Sequence, residues 1–208
     1  GKKGVPGRFI HGAEIGSGSG PHDWVVIYLD DGGKGVYSDH RRFGIMDVFE
    51  TEEQETHKLL KDIGPEPMPG SLTPEILSNN LRKRRIPIKN ALLDQKIVGG
   101  VGNIYASEAL YRAGISPFER SEDIAKSNKK VDNLISSIKF ILKDAIKVGG
   151  STISDYKNMD GESGYFQYKF NVYNRENLEC NNKNCSSHIK KIRQSGRSTF
   201  YCDSCQKE

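Results

Sequence analysis

Four cysteines fall within the last 29 of 208 residues: Cys180, Cys185, Cys202 and Cys205, separated by four, sixteen and two residues. Two short-spaced pairs joined by a hairpin-length segment suit a tetrahedral thiolate site for one structural Zn2+, with each pair on a tight turn. Two disulfides are the competing chemistry. The opening GKKGVPGRFIHG has two lysines with no apolar stretch behind them, so it does not read as a secretory signal. In the reducing compartment this implies, the thiolates are expected to stay free for the metal. His188 lies in the long spacer, but four thiolates complete the shell, and it reads as a solvated loop residue.

A second chemistry is anion binding. Gly99-Gly100-Val101-Gly102-Asn103 precedes a helical pattern, where backbone amides converge on the positive end of the helix dipole and glycines admit a phosphate backbone closely. Lys96 adds charge and Asn103 a donor. The bland alternative is a tight interhelical turn. Residues 82–96 hold six cations (Arg82, Lys83, Arg84, Arg85, Lys89, Lys96) against Asp94 alone, while Glu50, Glu52, Glu53 and Glu55 form an acidic stretch. A solvated helix face is the usual fate of such a basic run. The segment between the cysteine pairs adds Lys190, Lys191, Arg193 and Arg197. Arg41-Arg42-Phe43-Gly44 places a phenylalanine beside arginines. An exposed Phe there can wedge between bases while Arg reads a base edge; in isolation, a buried Phe with solvated arginines is commoner. The net charge of +4, from 31 cations and 27 acids, says little alone. Its distribution favours a nucleic acid.

The elements that must carry these groups follow from pattern. Trp24 to Leu29 and Gly35 to Tyr37 flank the turn signal Asp30-Asp-Gly-Gly33 and predict a hairpin, with a further strand over Ile45 to Phe49. Gly64-Pro-Glu-Pro67 opens a linker, residues 64–72. Thr73-Pro74 caps a helix to about Leu81, and a second helix is expected over Ile88 to Lys96. Asn103 is expected to cap Ile104 to Ala113, which Gly114 ends. Val131, Leu134, Ile135, Ile138, Ile141, Leu142, Ala145 and Ile146 form one apolar helical stripe. Polar residues 151–164 form a loop, and Phe170 to Tyr173 and Thr199 to Cys202 read as short strands framing the metal. No apolar run approaches the roughly 18 residues of a membrane span.

With those elements in place, Lys89 to Ile115 resembles the helix-two-turns-helix signature of the formamidopyrimidine-DNA glycosylase family. Asp39-His-Arg-Arg-Phe-Gly44, Gly64-Pro-Glu-Pro67, Asp160-Gly-Glu-Ser-Gly-Tyr-Phe166 and Gly196-Arg-Ser-Thr-Phe-Tyr-Cys202 match further family blocks in order. The resemblance runs from about Gly4 to Lys207. It implies an α+β protein: a partial N-terminal β-sandwich over 1–63, a helix-two-turns-helix domain over 73–170 whose loop 151–164 covers the flipped base, and a zinc-finger β-hairpin over 171–208. It implies a monomeric bacterial base-excision repair enzyme of the cytoplasm, associated with the nucleoid. Such an enzyme flips oxidised purines such as 8-oxoguanine out of double-stranded DNA, cleaves the glycosidic bond and breaks the backbone by elimination.

Carried over by position, Lys96 and Asn103 would hold phosphates flanking the flipped nucleotide, with Gly102 and Tyr173 in the same interface and His22 and Lys89 adding backbone contacts. Arg41 and Phe43 would fill the vacated space, Arg41 facing the orphaned cytosine. Arg197 would grip a lesion-flanking phosphate and is the residue linked to the second elimination. The family's nucleophile is an N-terminal proline followed by a glutamate. Motif alignment sets Gly1 inside the family's N-terminal domain, and Pro6 is internal with no free amine. The 208-residue chain is therefore expected to bind DNA without lyase activity. Val5-Pro6 and His40 depart from the family pattern, and the first cysteine gap is wider than its usual two residues. An endonuclease VIII-type enzyme for oxidised pyrimidines, a noncatalytic zinc-dependent DNA-binding protein and a ribosome-associated zinc ribbon are the alternatives.

Overall fold

Asp30-Asp-Gly-Gly33 reverses the chain because Gly32 takes φ 83°, and Leu29 and Gly33 close the turn by a 2.8 Å backbone bond. The strands it joins, β2 (Asp23–Tyr28) and β3 (Lys34–Ser38), pair antiparallel, and β1 (Arg8–His11) adds to the other edge of β3. The computed structural model describes residues 8–11 (backbone only), 20–39, 42–68, 70–151 and 164–207. Contacts divide the chain into two units: Gly1–Val48 with Asp144–Lys169, and Phe49–Lys143 with Phe170–Glu208.

In the first unit, the strand expected over Ile45 to Phe49 does not form. A strand needs a ladder partner for its amides. The Val48 amide instead bonds the Asp47 side chain at 3.0 Å, and Val48 is 93% exposed. At the far end of this unit, Gly149 and Gly150 take φ 72° and 85°, and Ser151 bridges Tyr165. A Cβ on Gly164 would lie 2.2 Å from the Gly150 carbonyl oxygen, so only glycine fits there. Between these ends, residues 152–163 of the expected base-covering loop lie outside the described residues.

The second unit is helical with a terminal hairpin. Thr73 caps α1 (Pro74–Leu81), its hydroxyl accepting the Ile76 amide at 3.3 Å. Helix α2 (Ile88–Leu92) stops short of the expected Lys96 because the Asp94 carboxylate captures the Lys96 amide at 3.0 Å and turns the chain. Helix α3 (Asn103–Ala113) ends at Gly114 in the left-handed region, φ 69°. A short α4 (Ser121–Ile124) precedes the 20-residue α5 (Asn128–Lys147), whose inner stripe is Val131, Leu134, Ile135, Ile138, Ile141 and Ala145. Leu142 is half-buried and Ile146 is 66% exposed, so the last turn leaves the predicted stripe.

Among the described residues of the 64–72 linker, both ends are packed as a strap. Leu72 is buried, Gly64 donates to Gln95 O at 2.8 Å, and a Cβ on Gly64 would meet Lys96 O at 2.5 Å. The hairpin pairs β4 (Lys190–Gln194) with β5 (Arg197–Tyr201) through Ser195 and Gly196, both at positive φ, the two-residue geometry that matches strand twist. Phe170 to Tyr173 is not a strand, because its amides go to a buried carboxylate described below.

Candidate nucleic-acid interface

The four cysteine sulfurs lie within 4.8 Å of one another, with Cys180 to Cys205 at 3.8 Å and Cys185 to Cys202 at 3.7 Å. A tetrahedron of sulfurs about 2.3 Å from zinc has edges of about 3.8 Å, whereas a disulfide needs about 2.05 Å. The donor set fits zinc, and none of the thiols is bridged. Burial pushes the Cys202 thiol up to about 12, and the Ser187 amide brings Cys185 down to about 7. A dication supplies the charge that lets buried thiols lose their protons. Tyr111 Oη, 3.1 Å from Cys180 Sγ, and Asn182 Nδ2, 3.3 Å from Cys205 Sγ, orient the ligands from outside. Val172, Ile189 and Phe200 pack with Cys180 and Cys202 as the core of this tail.

The hairpin is tied to the helices through Lys89. Its side chain is 0% exposed, and Nζ donates to Asn103 Oδ1 (2.7 Å), Thr199 Oγ1 (2.8 Å) and Ser198 O (3.2 Å). Asn103 Nδ2 also donates to Ser198 O at 3.0 Å, Thr199 Oγ1 to Gln194 Oε1 at 2.9 Å, and Asn90 Nδ2 to Ser195 Oγ at 2.7 Å. Two expectations change. Lys89 is too buried to reach a phosphate directly. Asn103 is the first residue of α3 rather than its cap, since its side chain is engaged by Lys89 and the hairpin. Arg197 opens β5 and is exposed beside this knot.

All three acceptors of Lys89 are uncharged, and burial, then the Arg197 charge, pushes its ammonium down to about 8. An unfolded chain holds that proton up to about pH 10.5, so it binds more protons between about pH 8 and 10. Unfolding free energy should therefore rise with pH across that window, and Lys89→Met should flatten the rise in urea titrations.

In the glycine loop, Gly99 donates to Pro65 O at 3.1 Å and Gly100 to Gln95 Oε1 at 2.8 Å, with Gly100 at φ 76°. Those two amides are used internally, which narrows the candidate cradle to the Gly102 and Asn103 step. Gly102 is exposed, and a Cβ there would meet nothing within 4 Å. Lys96 is exposed and pairs with Asp62 at 3.0 Å, holding that carboxyl below the usual range. Both groups are mostly in water, so the pair is screened and open to exchange with another anion.

Sequence reading missed Glu108. It is 0% exposed on α3, and its carboxylate accepts the amides of Asn171 (2.9 Å), Val172 (2.9 Å) and Tyr173 (2.8 Å). An acid set between the buried Ala106 and Ala109 was the available signal. Tyr173 is thereby fixed, half-buried, with its ring 5.0 Å from that of Phe200.

These residues all belong to the second unit. The first holds His22, whose carbonyl accepts the Asp39 amide at 2.9 Å, and Phe43, which is 76% exposed. Arg41 lies outside the described residues. The buried Asp39 carboxylate shapes the turn before Phe43 by accepting the amides of Arg42 (2.9 Å) and Gly44 (2.6 Å).

Comparison with known proteins agrees with this geometry. A sequence model of the formamidopyrimidine-DNA glycosylase H2TH domain matches residues 63–157, and one of the zinc finger found in FPG and IleRS matches 180–207. A formamidopyrimidine-DNA glycosylase of Dinoroseobacter shibae is 44% identical over 98% of this chain and 70% of its own length. One from Azorhizobium caulinodans is 41% identical over 99% and 70%. Lactococcus lactis Fpg in complex with abasic site-containing DNA superposes with a TM-score of 0.85 at 32% identity, over 98% of this chain and 73% of that one. MutM (FPG) from Thermus thermophilus gives 0.82 at 33%, over 97% and 73%. A MutM complex with DNA containing carbocyclic 8-oxo-G gives 0.84 at 31%, over 98% and 72%. With its metal finger and its helix-turn signature both matched, and with 44% identity over 98% of its length to a relative covered to 70%, the chain belongs to the formamidopyrimidine-DNA glycosylase family.

Proposed function

We propose that this chain serves base-excision repair as the DNA-gripping part of a DNA glycosylase and AP lyase whose nucleophile, the family's N-terminal proline, is not one of the residues described above. The enzyme acts as a monomer on oxidised purines, 8-oxoguanine and formamidopyrimidines, in duplex DNA. The observation that carries the reading is the Lys89 knot. One buried cation joins Asn103, at the start of α3, to Ser198 and Thr199 of the zinc hairpin, next to Arg197. The knot holds the start of α3, with Gly102 exposed, beside the exposed Arg197, and phosphate is the counter-charge that Arg197 suits. The similar proteins captured on abasic and 8-oxo-G DNA supply the substrate class.

In this reading Lys96, Gly102, Asn103 and Arg197 hold phosphates around the lesion, with Lys89 positioning Asn103 from beneath. Tyr173 and His22 contribute at the margins. Phe43, with Arg41, fills the space left by the extruded nucleotide. Extrusion costs a few kcal/mol, which the wedge and the phosphate grip must offset. Once the base is out, the sugar is open to the family's N-terminal proline amine, which would form a bond to the sugar carbon as the base leaves. This chain's own contribution to the elimination that follows is Arg197, which steadies the phosphate that departs in the second step. One Zn2+ held by the four cysteines is structural, and the enzyme works on the DNA of a bacterial nucleoid. Among the described residues, no helix is long and apolar enough to cross a membrane.

Binding to duplexes with an abasic-site analogue, 8-oxoguanine or thymine glycol, read by fluorescence anisotropy across a salt series, tests the proposal. The chain should prefer the first two over undamaged DNA. Lys96→Ala should weaken binding to every duplex and reduce the slope of log affinity against log salt by about one unit. An unchanged slope would remove Lys96 from the phosphate contacts, and a preference for thymine glycol would move the substrate to oxidised pyrimidines.

A further inference from the structure

Arg42 stands at φ 56°, in the left-handed region that a non-glycine residue adopts only under strain. Its strain sits one residue before Phe43. Two groups hold it there: the Asp39 carboxylate on its amide, and the face of Trp24, with the guanidinium carbon 4.2 Å from the ring centroid. The Trp24 indole N–H also donates to the Asp39 carbonyl at 2.8 Å. Trp24 thus grips the turn at its first residue and at its strained one. Gly44 completes it: a Cβ there would lie 1.6 Å from Tyr37 Oη, so any larger residue would have to displace the tyrosine ring.

We propose that Trp24 is a positioning residue for Phe43, presetting the turn so that the phenyl ring is presented before DNA arrives. The proposal rests on the reading of Phe43 as the wedge. Without the preset, the turn's ordering would be charged against insertion, and only insertion would suffer.

Trp24 is the only tryptophan among the 208 residues, so its emission reports on the turn directly. In the zinc-loaded chain, emission should change on binding an abasic-analogue duplex and much less on binding an undamaged one. Trp24→Leu should lower affinity for the abasic-analogue duplex about tenfold, from loss of one hydrogen bond and one cation–π contact. It should leave undamaged-duplex affinity and the salt slope unchanged. Trp24→Phe, which keeps a face for Arg42 but no N–H, should fall between, and it guards against misfolding of the leucine variant. Equal losses on both duplexes, no loss on either, or an emission blind to the lesion would overturn the assignment. If the unmodified chain itself shows no preference for the abasic analogue, the wedge reading fails. If that preference is present and survives Trp24→Leu, only the role of Trp24 fails.

Discussion

Stripping the metal with a chelator should unfold residues 180–207 and lower duplex affinity by about two orders of magnitude, equivalent to about 2.7 kcal/mol. The tail has a small core, Val172, Cys180, Ile189, Phe200 and Cys202, two of whose members are ligands. Structural zinc contributes about 10–16 kcal/mol in isolated finger peptides, far more than such a core can supply. The effect should reach beyond the hairpin. Lys89 loses Ser198 and Thr199, Asn103 loses its second bond, and the lysine that tied α3 to the hairpin keeps only Asn103 of its three partners. Cys202→Ala should reproduce the loss without chelator. Far-ultraviolet dichroism, released zinc and anisotropy on one preparation would check it; a metal-free protein that keeps its affinity would show that the hairpin does not hold DNA.

Replacing Glu108 by alanine should destabilise the fold by about 3–5 kcal/mol, because three buried or half-buried amides lose their acceptor and each costs about 1–3 kcal/mol unpaired. Val172 and Tyr173 both pack into the zinc tail, so the damage should spread there. Glu108→Gln keeps one carbonyl oxygen but turns a donor toward amides, and should fall between. Urea unfolding of the three proteins at matched zinc reads the order directly. A change under about 1 kcal/mol for the alanine variant would mean that water replaces the carboxylate.

The cysteine tail, the capped start of α1 and the glycine end of α3 could be read from residue types because each is fixed by chemistry within a few positions. Thr73 and Gly114 act on their own backbones, and thiol spacing of four, sixteen and two residues is itself the geometry of the site. What escaped reading depends on residues far apart in the chain. Nothing near Lys89 says that its charge is taken up by residues 109 and 110 positions later. The basic run containing it looked like one surface, yet Lys89 points inward. Asn103 has the right type for a cap, but a distant lysine claims its side chain. Ile45 to Phe49 has strand composition, and composition cannot supply the neighbouring strand it needs. Phe170 to Tyr173 fails for the opposite reason, since a buried acid takes its amides first.

The strap at residues 64–72 limits how this protein can be engineered. Its prolines and glycines invite a protease site, a dye or a split point, as the joint between two halves usually would. Gly64, however, is seated against the backbone of Lys96 with no room for a side chain, so an insertion there would shift the glycine loop that follows Lys96. The exposed Asp30, in the turn between β2 and β3, is the better place for a label.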